Sequence, residues 1–322
     1  MSGSVERIEE AGGVYLAAYL APFREWLDRE DVTEILVNRP GELWVEGADG
    51  MVRVELPSLD DRHLGRLAEQ VARISNQGIN RERPLLGATL PGGARVQLVG
   101  PSATRGHWAM AIRRHRLIDL PLDAYRGNAL ASVPAEAWPD RERDPIGYLR
   151  SAVRARRTVL VSGGTSTGKT TFLNALLREV PSDERIVLVE DTPEIRLHAD
   201  NAVGLVAVKG EMGEAKVGAD DLLQAALRLR PDRIVLGELR GKEAVTFLRA
   251  INTGHPGSFT TIHANSPAGA FDQLALMVMQ SGIGLGRGDT IDYARSVIDI
   301  VVQLERDGGG RRIAAIMPTR EA

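Results

Sequence analysis

The segment TVLVSGGTSTGKTTFLNALL, residues 158–177, decides how the rest of the chain is interpreted. Its centre fits the pattern G-x-x-x-x-G-K-[ST], with Gly163, Gly168, Lys169 and Thr170 at the fixed positions. An apolar β-type run precedes the glycines and a helix-forming run follows them, which is the context that the pattern requires. In such a loop, backbone N–H groups surround phosphate oxygens at the start of a helix. The segment therefore predicts a phosphate-binding loop between a strand and a helix.

The loop predicts a site for ATP and Mg²⁺. Lys169 is expected to reach the β- and γ-phosphates, and the Thr170 hydroxyl is expected to hold Mg²⁺. The residues predicted to contact the nucleotide are Gly163, Gly164, Thr165, Ser166, Thr167, Gly168, Lys169, Thr170 and Thr171.

The second half of the chain alternates apolar β-type runs with helical segments. The runs RIVLVED (185–191), RIVLGEL (233–239) and SFTTIHA (258–264) follow the loop in that order. Such alternation predicts a largely parallel sheet with helices on both faces, which is an α/β fold. The end of the chain, VIDIVVQLERDGGGRRIAAIMP (297–318), predicts a closing hairpin.

Carboxylates follow two of these predicted strands. Glu238 ends one run and is the candidate for polarising the attacking water, although it could also simply end a strand. Many such enzymes have an aspartate before this glutamate, but this chain has Gly237. Glu190 and Asp191 end another run, and parallel sheets bind ligands at this edge. We expect these two carboxylates to orient Mg²⁺ through its water molecules.

The stretch GHPGSFTTIHANSP (254–267) contains two histidines, one before the run SFTTIHA and one near its end. His263 lies at the end of the strand that faces the phosphate loop, and it fits a sensor of the γ-phosphate. His255 precedes the strand, and an extended chain separates the two rings too far for one metal ion. It is expected to cap or pack at a subunit surface, or to be a structural histidine. Arg240, which follows Glu238, is included in the site without an assigned role.

The first part of the chain predicts a smaller α+β domain. ELWVEGADGMVRVEL (42–56) indicates a β-hairpin, and the helical spacing of apolar residues indicates a helix that ends before Gly78. The segments ARVQLV (94–99) and WAMAIR (108–113) pair with one apolar face when Val96 faces Ile112. That register places Arg95 opposite Arg113. Two adjacent arginines repel each other unless an anion lies between them, but they could also point into water.

Composition limits the class of protein. The 322 residues suffice for two domains, which we assign to 1–116 and 146–322 with a linker at 117–145. The absence of cysteine excludes disulfides and thiolate metal sites, and the start MSGSVERIEE lacks the pattern of a signal peptide. The net charge of −3 gives no basic field for nucleic acid, so nucleic acid is not expected as a direct partner. We expect a cytoplasmic protein.

Four motifs together resemble the secretion traffic ATPases, which serve type II secretion, type IV pili and type IV secretion. They are GGTSTGKTT as Walker A, IVLVEDTPEI as the Asp box, RPDRIVLGELRG as an atypical Walker B and NTGHPGSFTTIHANSP as the His box. RPLLGATLPGGARVQLV and AIRRH look like the N-terminal domain of the type IV secretion member, the VirB-eleven type. The absence of a four-cysteine zinc element weighs against the pilus and type II branch.

The resemblance implies a RecA-like C-terminal domain, a PAS-like N-terminal domain and a homo-hexameric ring at the cytoplasmic face of the inner membrane. It also implies inner-membrane secretion components as partners, peripheral membrane association, and phosphate contacts from Arg95 and Arg113, within one chain or across a subunit interface. The activity implied is ATP hydrolysis that drives pilus assembly or the transfer of DNA or protein. The alternatives are a type IV pilus or type II secretion ATPase of the same family, a RecA-fold DNA motor, and a nucleotide-binding scaffold without turnover.

Overall fold

The computed structural model describes residues 13–114, 138–208, 215–308 and 310–319. Its first part begins with helices α1 (Val14–Leu20) and α2 (Arg24–Asp28), which a short 3-10 turn joins. The strands of this part are β1 (Glu34–Val37), β2 (Gly41–Gly47), β3 (Gly50–Leu56), β4 (Leu85–Thr89), β5 (Arg95–Val99) and β6 (Ala109–Arg113), with α3 (Asp61–Ile74) between β3 and β4. Within the described residues, these strands form one antiparallel sheet in the order β3-β2-β1-β6-β5-β4.

The second part contains a mostly parallel sheet. Its strands are β7 (Val159–Gly163), β8 (Ile186–Glu190), β9 (Ala202–Val206), β10 (Arg233–Leu239), β11 (Phe259–Ile262), β12 (Ile300–Asp307) and β13 (Gly310–Pro318). Its helices are α4 (Pro145–Arg154), α5 (Lys169–Leu177), α6 (Ala219–Ala226), α7 (Glu243–Asn252), α8 (Pro267–Gln280) and α9 (Arg287–Val297). Among described residues the order is β13-β12-β7-β11-β10-β8-β9, and only β13 is antiparallel to its neighbour.

Residue patterns explain these elements. Strands β7 and β8 are buried along their whole length, as expected for parallel strands covered by helices on both faces. Helix α3 begins where the Asp60 carboxylate accepts the N–H of His63 at 2.7 Å, and its spacing buries Leu64 and Val71. The predicted hairpins 42–56 and 297–318, the predicted strands and the α/β class of the second part are confirmed.

The predicted pairing of β5 with β6 is also confirmed, with Val96 opposite Ile112 and Arg95 opposite Arg113. One face of this sheet packs on α1, α2 and α3 through a single apolar cluster. On the other face, Val99 and Ala111 belong to a second apolar cluster, which also contains residues of the parallel sheet. The paired arginines therefore lie on the face that contacts the second part of the chain.

Polar contacts join the two parts beside this shared cluster. The fully buried guanidinium of Arg185, just before β8, donates to Asn38 Oδ1 at 2.6 Å, and Asn38 Nδ2 donates to Asn201 Oδ1 at 3.0 Å. Arg230 Nε donates to the Glu46 carboxylate on β2 at 2.9 Å. These hydrogen bonds cross the boundary between the two parts and hold them in one arrangement.

Strand β9 and helix α9 are among the elements that were not predicted from the sequence. Strand β9 is short and has Gly204 at its centre, and a glycine inside a strand weakens the sequence signal. Helix α9 buries only Thr290 and Ala294, so its apolar stripe is narrow. Residues 117–137 of the predicted linker lie outside the described residues, and α4 begins at Pro145. No helix of the described residues is long and apolar enough to cross a membrane.

Candidate functional site

A cleft opens at the edge of the parallel sheet where β7, β8, β10 and β11 end. The phosphate loop and the strand ends supply its walls together with one residue of the closing hairpin. The lining residues are Thr165, Ser166, Gly168, Lys169, Thr170, Thr171, Glu190, Asp191, Thr192, Glu194, Ile195, Leu236, Gly237, Glu238, Arg240, Thr261, His263 and Arg311. The structure thus brings together the phosphate loop, both carboxylate groups and His263, which the sequence placed on separate strands.

The backbone of the loop has the shape of a phosphate cradle. Ser166 and Gly168 both have left-handed backbone angles, with φ of 61° and 89°. A Cβ on Gly163 would lie 2.4 Å from Thr167 Oγ1, so only glycine fits at the turn out of β7. The Thr167 hydroxyl is buried and donates to the Gly164 carbonyl at 2.9 Å, which holds the loop in place. The loop then leads directly into α5, whose N-terminus favours an anion.

Lys169 occupies the centre of the cradle. Its Nζ donates to the Gly163 and Gly164 carbonyls, each at 3.0 Å, and lies 3.3 and 3.4 Å from the ring nitrogens of His263. Burial lowers the pKa of Lys169, and the nearby Glu238 carboxylate opposes that shift. The ammonium group is therefore held inside the loop by neutral oxygen acceptors, a position from which it can turn towards a phosphate.

Glu238 lies at an irregularity in β10. The register between β10 and β11 shifts between Leu236 and Leu239, so two residues of β10 face one residue of β11. Glu238 Oε1 lies 2.6 Å from His263 Nε2, and Glu238 Oε2 accepts from Arg240 Nε at 2.5 Å. The bulge thus directs the carboxylate into the cleft, where a histidine and an arginine fix its orientation.

Gly237 shares this bulge. A Cβ at this position would lie 3.4 Å from Glu190 Cβ on the adjacent strand β8. A Cβ at residue 237 would therefore be in ordinary van der Waals contact with β8, so this packing does not by itself require glycine.

The carboxylates at the end of β8 have different surroundings. Asp191 faces the guanidinium of Arg240 at 3.3 Å. Glu190 is buried: its Oε1 accepts from Arg105, which belongs to the first part of the chain, and its Oε2 accepts the N–H groups of Glu194 and Ile195 at 3.0 and 3.2 Å. Both oxygens of Glu190 therefore have partners in the protein, whereas Asp191 lines the cleft beside Arg240.

Arg311, which the sequence analysis did not single out, also reaches the phosphate loop. It is an exposed residue of β13, yet a Cβ on Gly168 would lie 2.6 Å from its Cδ. Its Nη1 lies 3.5 Å from Thr171 Oγ1 at the start of α5. The hairpin contributes this cation from far along the chain, so no spacing rule in the sequence could have indicated it.

Arg95 and Arg113 do not line this cleft. They border a separate cavity on the sheet face of the first part, together with Glu34, Gln97 and Arg228. Arg113 Nε lies 3.4 Å from Glu34, and burial raises the pKa of Glu34 to about 7 although Arg113 opposes the shift. Near neutral pH this carboxyl group therefore cancels only part of the arginine charge, and the cavity remains attractive to an anion.

His255 lies outside both cavities. Its Nδ1 is 3.0 Å from the Pro231 carbonyl, and burial lowers the pKa of the ring. In the described part of the chain, no group of three or more histidine and carboxylate side chains could hold a metal ion. A cation at the phosphate loop would thus depend on Thr170, on water and on phosphate oxygens, as is usual for Mg²⁺.

A parallel sheet that presents a phosphate loop, a lysine and strand-end carboxylates at one edge defines the RecA-like class of P-loop proteins. Residues 17–307 match the family described as type II/IV secretion system proteins, and the chain belongs to that family. It is 36% identical to the type IV secretion system protein VirB11 of Bartonella henselae, covering 92% of this chain and 91% of that protein.

Two further relatives agree with this assignment. The type IV secretion system protein PtlH of Bordetella pertussis is 43% identical, over 92% of this chain and 93% of that protein. The crystal structure of the VirB11 ATPase of the Brucella suis type IV secretion system in complex with sulphate is 35% identical. It covers 98% of this chain and 96% of that one, with a TM-score of 0.85. The predicted secretion ATPase family and the RecA-like second part are thereby confirmed.

Proposed function

We propose that this protein is the ATPase of a type IV secretion system and that it hydrolyses ATP in the cleft above β7, β8, β10 and β11. The single observation that carries the proposal is that Lys169, inside the glycine cradle, and Glu238 line the same cleft. The similarity to proteins named VirB11 and PtlH over more than nine-tenths of this chain supports it. Hydrolysis would drive pilus assembly or the transfer of DNA or protein.

The residues of the loop would hold ATP with Mg²⁺. The backbone of 163–168 would surround the phosphates, Lys169 would turn from the two carbonyls towards the β- and γ-phosphates, and Thr170 would hold the cation. Asp191 would orient water around that cation. Mg²⁺ when bound neutralises charge on the phosphate oxygens. The residues fit such a ligand because Gly168 has the left-handed backbone that leads the loop into a helix N-terminus.

Glu238 would act on the attacking water as a general base, because its carboxylate faces the cleft at the bulge in β10. His263, within 2.6 Å of Glu238 and beside Lys169, would sense the γ-phosphate through both of them. Arg240 would keep the Glu238 carboxylate oriented through its hydrogen bond. His255, near the Pro231 carbonyl and outside the cleft, would keep a structural role.

The paired arginines would complete the site of a neighbouring subunit. Arg95 and Arg113 line a cavity that shares no residue with the cleft of their own chain. Phosphate contact from these arginines would therefore come across an interface, which requires an oligomer such as a homo-hexameric ring. Such a ring would work in the cytoplasm at the inner membrane, with inner-membrane secretion components as partners and no direct contact with nucleic acid.

A steady-state ATPase assay with and without DNA tests this proposal against its two rivals. The purified chain should hydrolyse ATP with Mg²⁺ at a rate that added single- or double-stranded DNA does not raise. Strong stimulation by DNA would favour a DNA motor instead. Tight ATP binding without turnover would make the protein a scaffold.

Glu238→Gln should bind ATP with near-normal affinity and hydrolyse it about 10²-fold more slowly. The substitution removes the proton acceptor and keeps the shape, and general bases contribute about 10²–10⁴-fold to rates. Fluorescent-nucleotide titration and phosphate release measure the two quantities. Equal losses of binding and of turnover would assign Glu238 a structural role instead.

Arg311→Ala should raise the KM for ATP about tenfold and change kcat much less, since an exposed cation beside the phosphate loop contributes about 1.4 kcal/mol to binding. Arg312→Ala is the matched control, because Arg312 is the adjacent hairpin arginine and pairs with Glu305. The assignment of Arg311 to the nucleotide site fails if both variants give the same KM.

A further inference from the structure

A loop of the first sheet attaches to the edge of the parallel sheet. Residues 100–108 connect β5 to β6, and Thr104 forms an antiparallel bridge with Leu205 on the edge strand β9. Within the loop, the Thr104 hydroxyl donates to the His107 carbonyl at 2.5 Å, and Ala103 is fully buried in the cluster that both parts share. The loop is therefore fixed to the second part of the chain through both backbone and core contacts.

The next residue, Arg105, crosses this edge strand at a glycine. A Cβ on Gly204 would lie 2.6 Å from Arg105 Nε and 2.8 Å from its Cδ. The absence of a side chain at residue 204 thus leaves room for the arginine to pass over β9 in its observed position. Beyond the strand, the guanidinium reaches the nucleotide side of the sheet.

There the guanidinium contacts both ends of one cleft segment. Its Nε donates to Glu190 Oε1 at 2.9 Å, and its Nη2 donates to the same oxygen and to the Ile195 carbonyl at 2.6 Å. The other oxygen of Glu190 accepts the N–H groups of Glu194 and Ile195. The hydrogen bonds of Arg105 and Glu190 therefore hold the two ends of the segment 191–195 together. This segment includes Asp191, which lies in the wall of the cleft.

Burial makes this contact strong. The Glu190 side chain is 3% exposed and that of Arg105 is 30% exposed. Removal of one partner from a buried ion pair leaves an uncompensated charge, which is far costlier than the loss of a surface pair. Without Arg105, the buried Glu190 carboxylate would lose its cation and its fixed orientation, and the segment that it holds would be released.

We propose that Arg105 is a positioning residue for ATP hydrolysis: through Glu190 it fixes the segment 191–195, and it thereby couples the position of the first sheet to the nucleotide cleft. This inference rests on the proposed function, since it assigns Arg105 to the same site. It differs from the paired arginines because Arg105 acts within its own chain and does not contact ATP. A shift of the first sheet would move the Asp191 carboxylate with it.

Arg105→Ala should lower kcat about 10–100-fold, the range seen when outer partners of metal-site groups are removed, and leave the KM for ATP within about threefold. Arg105→Lys keeps the charge and one hydrogen bond and should recover part of the loss. His107→Ala is the matched control, since His107 lies in the same loop but contacts Asp61 of the first part, at 2.7 Å. It should behave like the wild type.

The Glu190→Gln background separates action through Glu190 from a general role in holding the two parts together. If Arg105 acts through Glu190, adding Arg105→Ala to Glu190→Gln should not slow hydrolysis further. The same additional loss in both backgrounds would overturn the inference, as would a kcat of Arg105→Ala equal to that of His107→Ala.

Hydrogen exchange in the nucleotide-free protein provides a readout that does not depend on ATP hydrolysis. The amides of Glu194 and Ile195 should exchange faster in Arg105→Ala than in the wild type, and they should be unchanged in His107→Ala. Unchanged protection in Arg105→Ala would refute the inference, whereas absence of ATP hydrolysis in the wild type would refute only the proposed function. If Arg105→Ala does not fold, Arg105→Lys carries both measurements, with intermediate losses expected.

Discussion

Lys169→Ala should keep the fold and lose about 10³-fold or more in kcat/KM for ATP, because it removes the cation that would meet the β- and γ-phosphates. The ammonium group is buried against the Gly163 and Gly164 carbonyls, and burial already lowers its pKa. Burying this charge costs folding free energy. Because the truncation removes that cost together with the hydrogen bonds, the melting temperature should stay nearly unchanged. Hydrolysis, nucleotide binding and thermal unfolding together test this expectation.

Lys216→Ala is the control, since Lys216 is exposed and lies outside the cleft. It should match the wild type in every measurement. Wild-type turnover in Lys169→Ala would remove the phosphate loop from the active site. A large fall in melting temperature would instead make Lys169 a packing residue, and the loss of activity would then carry no information about phosphate binding.

Arg113→Ala should lower kcat about 10³-fold while the affinity for ADP stays within a few-fold, because an arginine at the γ-phosphate acts mainly on the transition state. The variant should fold: burial raises the pKa of Glu34 to about 7, so this carboxyl group can take up a proton once its cation is removed. ATP hydrolysis and ADP titration at pH 7 measure the two effects.

Arg66→Ala is the comparison for Arg113→Ala, because Arg66 lies on the surface of α3, where it pairs with Glu69. It should hydrolyse ATP at the wild-type rate. Full activity of Arg113→Ala would exclude this arginine from any nucleotide site, and a parallel loss of ADP affinity would point to a contact made in the ground state as well.

Local patterns predicted the parts of the site that lie at strand ends. The glycine spacing gave the phosphate loop, and buried runs that end in carboxylates placed Glu190 and Glu238 at one edge of a parallel sheet. The pairing of Arg95 with Arg113 followed from the alternation of apolar and polar residues alone. A shift of the register by one residue would have turned the apolar side chains outwards.

The remaining features depend on contacts between distant segments. The partner of Glu190 is 85 residues earlier in the chain, and the path of Arg105 over Gly204 exists only after the two sheets have packed. Arg311 reaches the phosphate loop from a hairpin at the other end of the second part. The cavity of Arg95 and Arg113 also opens away from the cleft of its own chain, which periodicity cannot reveal.

We propose that a complete active site joins the phosphate loop of one subunit with the arginines of its neighbour. Mixing Arg113→Ala protein with Lys169→Ala protein tests this arrangement most directly, because a ring of both would contain sites with an intact loop and an intact arginine. Two inactive preparations should therefore regain ATPase activity when they are combined. Mixed rings, verified by two different tags, that stay inactive would contradict it.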